Sequence, residues 1–386
     1  MKRKLVVVAA CATAPMIAHA QSTVTLYGIL DEGVNWTSNS NGAHQYNMTS
    51  GVASGSRWGL HGSEDLGGGL SAIFVLENGF DVGSGALGQG GRMFGRQAFV
   101  GLSSNKFGAL TAGRQYDSVV DTLAIYELFA QLGGYVFARP GDIDNLNNAH
   151  RVNNALKYTG SFGGVMLTGL YSLGGIAGDG SRNQIWSAGA SYTVGPFSAA
   201  AAYINVRNPN TSFFSDSSSI ATANNASGPV YSGYASAHTY QVLAGAVRYI
   251  AGPVTMAVTF SNVQFGGLGD TSSGPNPLQY SGEAVFNSIE GNVSYRITPA
   301  LLVGLGYNYT RNAGASGREG ADYSQVMGGA DYSLSKRTDI YLVGIWQKAS
   351  GVDSTGRAAV ASINGPLSPS ASNQQSYIRV AIRHRF

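Results

Sequence analysis

The chain ends on Tyr377-Ile378-Arg379-Val380-Ala381-Ile382-Arg383-His384-Arg385-Phe386, and this stretch decides how the rest is read. Side chains of an extended strand point alternately to two faces. Ile378, Val380, Ile382 and Phe386 share one face, with His384 near its end, while Tyr377, Arg379, Ala381, Arg383 and Arg385 share the other. An arginine at the bilayer midplane costs about 2–4 kcal/mol on the lipid face of a barrel strand. Three arginines opposite an aliphatic row therefore fit a wall that separates lipid from a wet lumen.

The same two-faced pattern recurs upstream. Leu301, Val303, Leu305, Tyr307 and Tyr309 form a row suited to lipid, and Leu302, Gly304, Gly306, Asn308 and Thr310 a row suited to water. Val293, Tyr295 and Ile297 alternate with Glu290, Asn292, Ser294 and Arg296 in the same way. A soluble sandwich shows this alternation too, so the connections must decide. Short ones fall at 65–69, 105–108, 162–164, 195–196, 251–253, 298–299 and 335–337, with glycine, proline or polar turn chemistry. Long ones, rich in Ser, Asn, Gly and Asp, fall near 36–55, 79–92, 117–153, 174–183, 207–237, 265–282, 312–320 and 349–374. Seven short and eight long connections in strict alternation join sixteen strands, with both chain ends on the short side. That is the plan of an outer-membrane barrel with short periplasmic turns and long external loops, at a size that leaves an aqueous channel.

Composition agrees. Charged residues are 12% of the chain, against about 25% in soluble globular proteins, and no run approaches the ~18 apolar residues of a membrane helix. Lys2, Arg3 and Lys4, the apolar stretch 5–14 and Ala18-His19-Ala20 read as a secretory signal over residues 1–20. Val8-Ala9-Ala10-Cys11 resembles a lipobox, but too few residues precede it for a signal. Residues 21–386 then form a single barrel domain. Without the signal's three cations, 21 basic residues face 21 acidic ones, which argues against nucleic acid as a partner. Cys11 is the sole cysteine, so the mature chain has neither disulfide nor thiol metal site. The mature histidines, His44, His61, His150, His238 and His384, accompany no G-x-S-x-G elbow, and no His, Asp or Glu cluster has ligand spacing. The sequence therefore predicts no enzyme, cofactor or metal site.

Five stretches, taken together and in order, resemble the general porins of Gram-negative bacteria of the β-proteobacterial type. They begin at Val24 (VTLYGILD), Ser56 (SRWGLHGSEDLGGGL), Phe94 (FGRQAFVGL) and Gly113 (GRQY), and end at the terminal aromatic Phe386. The resemblance covers essentially the whole mature chain. It implies an outer-membrane channel for passive diffusion of small hydrophilic solutes and ions, built as a homotrimer of sixteen-stranded barrels. It also implies a third external loop folded inward to narrow each pore, and a C-terminal strand whose Phe386 is read by the barrel-assembly machinery.

Rings of arginine or lysine at the narrowest point of a pore favour anions, and acidic rings favour cations. The resemblance implies wall arginines opposite acids of the inward loop, and Arg57, Arg151 and Arg96 occupy the matching motifs. Arg114 leads into the third loop, and Glu77 stands where the family places an acid near the basic cluster. An extra cation that a related anion-selective porin carries just before the Arg96 position is here Gly95. Strand alternation would turn Phe99 outward and Arg96 and Ala98 inward, which also turns Val100 and Leu102 inward. In the third loop, read over 117–153, Tyr126, Phe129, Tyr135 and Phe137 are expected to anchor the loop, and Asp142 and Asp144 to face the pore. Arg379, Arg383 and Arg385 are expected to line a vestibule. An anion-preferring pore is the expected function; a substrate-specific channel and a non-conducting adhesin barrel are the alternatives.

Overall fold

Alternating side chains and glycine-rich turns fold most of the described residues into strands. The computed structural model describes residues 22–215, 222–365 and 368–386; the secretory signal expected over 1–20 lies outside them. The strand segments are β1 (Thr23–Ser40), β2 (Ala43–Ser50), β3 (Arg57–Gly67), β4 (Leu70–Gly79), β5 (Gln97–Ser104), β6 (Gly108–Gln115), β7 (Val152–Phe162), β8 (Val165–Ser172) and β9 (Ile185–Val194). They continue as β10 (Phe197–Arg207), β11 (Thr239–Ala251), β12 (Val254–Leu268), β13 (Gly282–Thr298), β14 (Leu301–Asn312), β15 (Ala321–Ser333), β16 (Thr338–Gly351) and β17 (Gln374–Arg385). All pair antiparallel with their neighbours. β2 and β3 are two halves of one barrel strand, since β1 pairs with β2 through its outer half and with β3 through its first half. The seventeen segments thus make a sixteen-stranded barrel.

The barrel closes where β17 meets β1, from Ile29 opposite Arg385 to Thr37 opposite Tyr377. Gly28 and the terminal Phe386 exchange backbone hydrogen bonds of 3.1 Å each, so the last residue locks the seam. Closure leaves no strand edge to satisfy in lipid, which is why a barrel can span a membrane.

Each of the seven short connections falls where the turn residues place it. The first long connection differs: most of 36–55 is strand, and β1 turns into β2 through Asn41-Gly42 alone. Both residues have positive φ, 51° and 98°, the geometry that makes Asn-Gly the preferred two-residue hairpin turn. The break between β2 and β3 is tied down by Asp31. Its backbone oxygen accepts from Gly51 N–H at 2.7 Å and its carboxylate from Ser54 N–H at 2.8 Å.

Outward-facing rows are apolar and exposed: Ile378, Val380 and Ile382 on β17, Leu305 and Tyr307 on β14. Val100 and Leu102 also face outward, at 61% and 50% exposure, whereas Phe99 shares the face of Gln97 and its cross-strand partner Glu77. This reverses the face assignment that alternation from Arg96 suggests. Arg96 precedes the first ladder residue of β5, so its side chain is not bound to the alternation.

The 116–151 connection packs on the buried face of β9–β15. It contains two short helices, α1 (Ser118–Leu123) and α2 (Leu128–Gln131). Asp117 caps α1, accepting from Val119 and Val120 N–H, and Ser118 N–H donates to Ser187 Oγ on β9 at 3.0 Å. Leu128 and Leu132 lie over Gly304 and Gly306 of β14, where a Cβ would come within 2.7 Å and 3.0 Å of leucine methyls. The row of Leu302, Gly304 and Gly306, expected to face water, is therefore dry: glycine is there because a leucine needs the space. Tyr126 and Phe137 are fully buried and anchor the connection as expected. The same apolar cluster continues through Phe213, Phe214, Tyr231 and Tyr234 of the 208–238 connection, which pack on Tyr240, Phe265 and Phe286 of β11–β13.

Candidate functional site: a basic cluster across β3, β4 and β5

Opposite this packed side, Glu77 near the end of β4 collects four partners. Its Oε1 accepts from Arg96 Nε at 2.7 Å and from the Tyr116 hydroxyl at 3.3 Å. Its Oε2 accepts from the Tyr27 hydroxyl at 2.9 Å and lies 3.7 Å from Arg57 Nε. Arg57 is the first residue of β3, just past the break in the barrel strand, and Arg96 donates its backbone N–H to Glu77 O at 3.2 Å. Arg151, the last residue before β7, donates through Nη1 to Ala149 O at 3.0 Å and stands 5.8 Å from the centre of the Tyr116 ring.

Two adjoining cavities open between this wall and the 116–151 connection. One, of about 420 Å³, is lined by Arg57, Arg96, Arg151 and Tyr135. The other, of about 500 Å³, is lined by Arg57, Arg96, Glu77 and Tyr116. Phe129, Asn147 and Asn148 of the connection border both. Among the described residues, three guanidinium groups and one carboxylate give this lining a net charge of +2.

Of the seven residues expected at the constriction, the structure brings Arg57, Arg96, Arg151 and Glu77 together. It places the other three candidates elsewhere. Arg114 shares the outward parity of Leu110 and Ala112. It donates to Gly95 O at 2.8 Å and to Asn153 Oδ1 at 2.7 Å, and it lines neither cavity. Asp142 does not face the opening, because positive φ at Gly141 and Asp142 folds it back. There it accepts from Asn147 N–H at 3.0 Å and Ala149 N–H at 2.9 Å. Burial, then the charge of Asp144, pushes its carboxyl up to about 7, against the pull of those two N–H donors.

Asp144 is held in a buried latch that sequence reading missed. Its carboxylate takes Arg139 Nη1 at 2.5 Å and Ser261 Oγ at 2.6 Å, and Arg139 also pairs with Glu127 at 2.9 Å. Glu290 on β13 accepts from Leu128 N–H at 2.8 Å. Its position on the polar row is legible in the sequence; its partner, 162 residues away, is not. The vestibule expected of the terminal arginines is also revised. Arg379 is fully buried and paired with Asp31 at 2.9 Å, and Arg383 with Asp331 at 2.6 Å and Asp339 at 3.0 Å. Arg385, half-exposed, pairs with Asp339 at 2.7 Å.

Known proteins share the fold. An outer membrane porin protein of Bordetella pertussis is 37% identical over 182 residues, 43% of this chain and 47% of that relative, so the chain spans about half its length. Among solved structures, the anion-selective porin from Comamonas acidovorans superposes with a TM-score of 0.71 at 24% identity, covering 95% of this chain and 100% of that one. The trimer form of OmpT from Vibrio cholerae superposes with a TM-score of 0.66 at 14% identity, covering 95% and 99%. The profile of the Gram-negative porin family matches residues 6–350, and this chain belongs to that family.

Proposed function

We propose that the chain forms a water-filled diffusion channel in the outer membrane, that the 116–151 connection folds into its lumen, and that Arg57, Arg96 and Arg151 make it prefer anions. The observation that carries this reading is the cavity lining of three guanidinium groups against one carboxylate, Glu77. A net positive constriction attracts anions and repels cations, as charged rings do in other pores. The opposite side of the connection is held by Leu128 and Leu132 on β14 and by the Arg139 latch, so a solute would pass on the arginine side.

Further parts of the reading rest on the family: a homotrimer with one pore per subunit, recognition of the strand ending in Phe386 by the assembly machinery, and removal of residues 1–20. Bilayer recording of the purified protein tests the first of these together with conduction. Conductance steps that arrive and close in threes are expected. A folded barrel that carries no current would exclude the channel and bring the adhesin reading forward.

Asp142 adds a pH dependence. With its carboxyl near 7, it is neutral in acid and gains a negative charge as pH rises through neutrality, behind the Ala149 carbonyl that Arg151 holds. The anion-to-cation permeability ratio is expected to be higher at about pH 5 than at about pH 9. In Asp142→Asn this slope should vanish; a slope that persists there assigns the titration to another group.

A further inference from the structure

The basic cluster contains one residue that touches most of its members and is neither one of its cations nor its acid. Tyr116 accepts from Arg96 Nη2 at 3.1 Å, reaches Glu77 Oε1 at 3.3 Å and presents its ring to the Arg151 guanidinium at 5.8 Å. We propose that Tyr116 is the positioning residue of the anion filter, setting the spacing of Arg96 and Arg151 so that both face the same opening. The inference rests on the filter reading above and assigns to an uncharged side chain part of what that reading gives to arginines.

A positioning residue must itself be fixed, and the backbone of Tyr116 is held on both sides. Its carbonyl accepts from Lys157 Nζ at 2.9 Å, and Lys157 is in turn paired with Asp121 of α1. The next residue, Asp117, caps α1 and accepts from Asn145 Nδ2 at 2.8 Å. Asn145 also donates to His150 O at 3.0 Å and accepts from His150 N–H at 2.8 Å, which ties the two ends of the connection together one residue before Arg151. The tyrosine thus sits where β6 gives way to the connection, at a place that cannot shift without moving Arg151.

Its chemistry suits the position. Arginine forks pair with each other's counterions readily, and Arg57 and Arg96 both lie within reach of Glu77. Left to Glu77 alone, Arg96 is anchored by Nε and can swing its outer nitrogens. The phenol takes Nη2 and fixes the plane of the fork without adding a negative charge, which a second carboxylate would. The ring offers the Arg151 cation an electron-rich face on its other side.

The test uses the full protein in planar bilayers, with permeability ratios from reversal potentials in a potassium chloride gradient and thermal unfolding of each variant as a check on the barrel. Tyr116→Phe, which removes only the hydroxyl, is expected to lower the anion-to-cation ratio by about twofold at unchanged melting temperature. The same substitution in an Arg96→Gln background should have no further effect, because its target is gone. Tyr116→Leu, which also strips the ring from Arg151, should lower the ratio further. A wild-type ratio in Tyr116→Phe, or an equal drop with and without Arg96, would overturn the positioning role while leaving the filter intact. An unchanged ratio in Arg96→Gln and Arg151→Ala would overturn the filter, and the role of Tyr116 with it.

Discussion

Replacing Arg57 and Arg151 together by alanine is expected to abolish the anion preference of the channel. The double variant leaves Arg96 against Glu77, a neutral pair 2.7 Å apart, in place of a lining with net charge +2. A unit charge about 6 Å from a permeating ion in a water-like medium contributes about 0.7 kcal/mol, which enriches anions about threefold and depletes cations about threefold. Each charge removed thus moves the permeability ratio by about tenfold in dilute salt, and less as salt screens the pore. The single variants should fall between, with Arg151→Ala having the cleaner effect. Removing Arg57 also removes a counterion of Glu77, whose charge then opposes anions more strongly. The reversal potential in a salt gradient reads both, and a double variant with the wild-type ratio would place the filter elsewhere in the lumen.

The second large effect is on stability. Arg379 is fully buried at the seam of the barrel, with Nη2 on Asp31 Oδ1 at 2.9 Å, Nη1 on Asn35 Oδ1 at 2.8 Å and Nε on the Tyr341 hydroxyl at 2.8 Å. Asp31 also accepts from Tyr341 at 2.7 Å and holds Ser54. Breaking such a pair by removing one partner leaves an uncompensated buried charge, which costs about 3–5 kcal/mol. Arg379→Met should therefore lower the unfolding temperature of the detergent-solubilised barrel sharply, by loosening β17 from β1 and β2. Adding Asp31→Asn removes the orphaned charge and should recover part of the loss. A double variant no more stable than Arg379→Met would show that the cost lies in packing and hydrogen bonds and not in the charge left behind.

The two faces of β17, the seven short turns and the long–short alternation were legible because strand period and turn chemistry are local properties of the chain. The hairpin at Asn41-Gly42 was legible in principle through its Asn-Gly pair, but the serine and asparagine around it read as loop. What was not legible depends on contacts between residues far apart in the chain. Gly304 and Gly306 read as a water-facing row, and only Leu128 of α2 and Leu132 just after it, far upstream in the chain, show why they are small. Asp142 and Asp144 read as pore acids because their loop crosses the lumen in the family. The turn at Gly141 and the buried Arg139 withdraw them instead. Glu77, Arg57, Arg96 and Arg151 were found through motifs and not through parity, which could not place Arg96; Arg114 was taken from its place ahead of the third loop, where parity with Leu110 turns it outward. Tyr116 lay inside a quoted motif without a charge to draw notice.

Whether a lining of three arginines against one acid governs what passes is read from the zero-current potential of the unmodified channel between dilute and concentrated potassium chloride. A potential of the sign set by chloride diffusing down its gradient is expected. A potential of the sign set by potassium would leave the barrel standing and overturn the arginine filter, placing selectivity in other charges along the lumen.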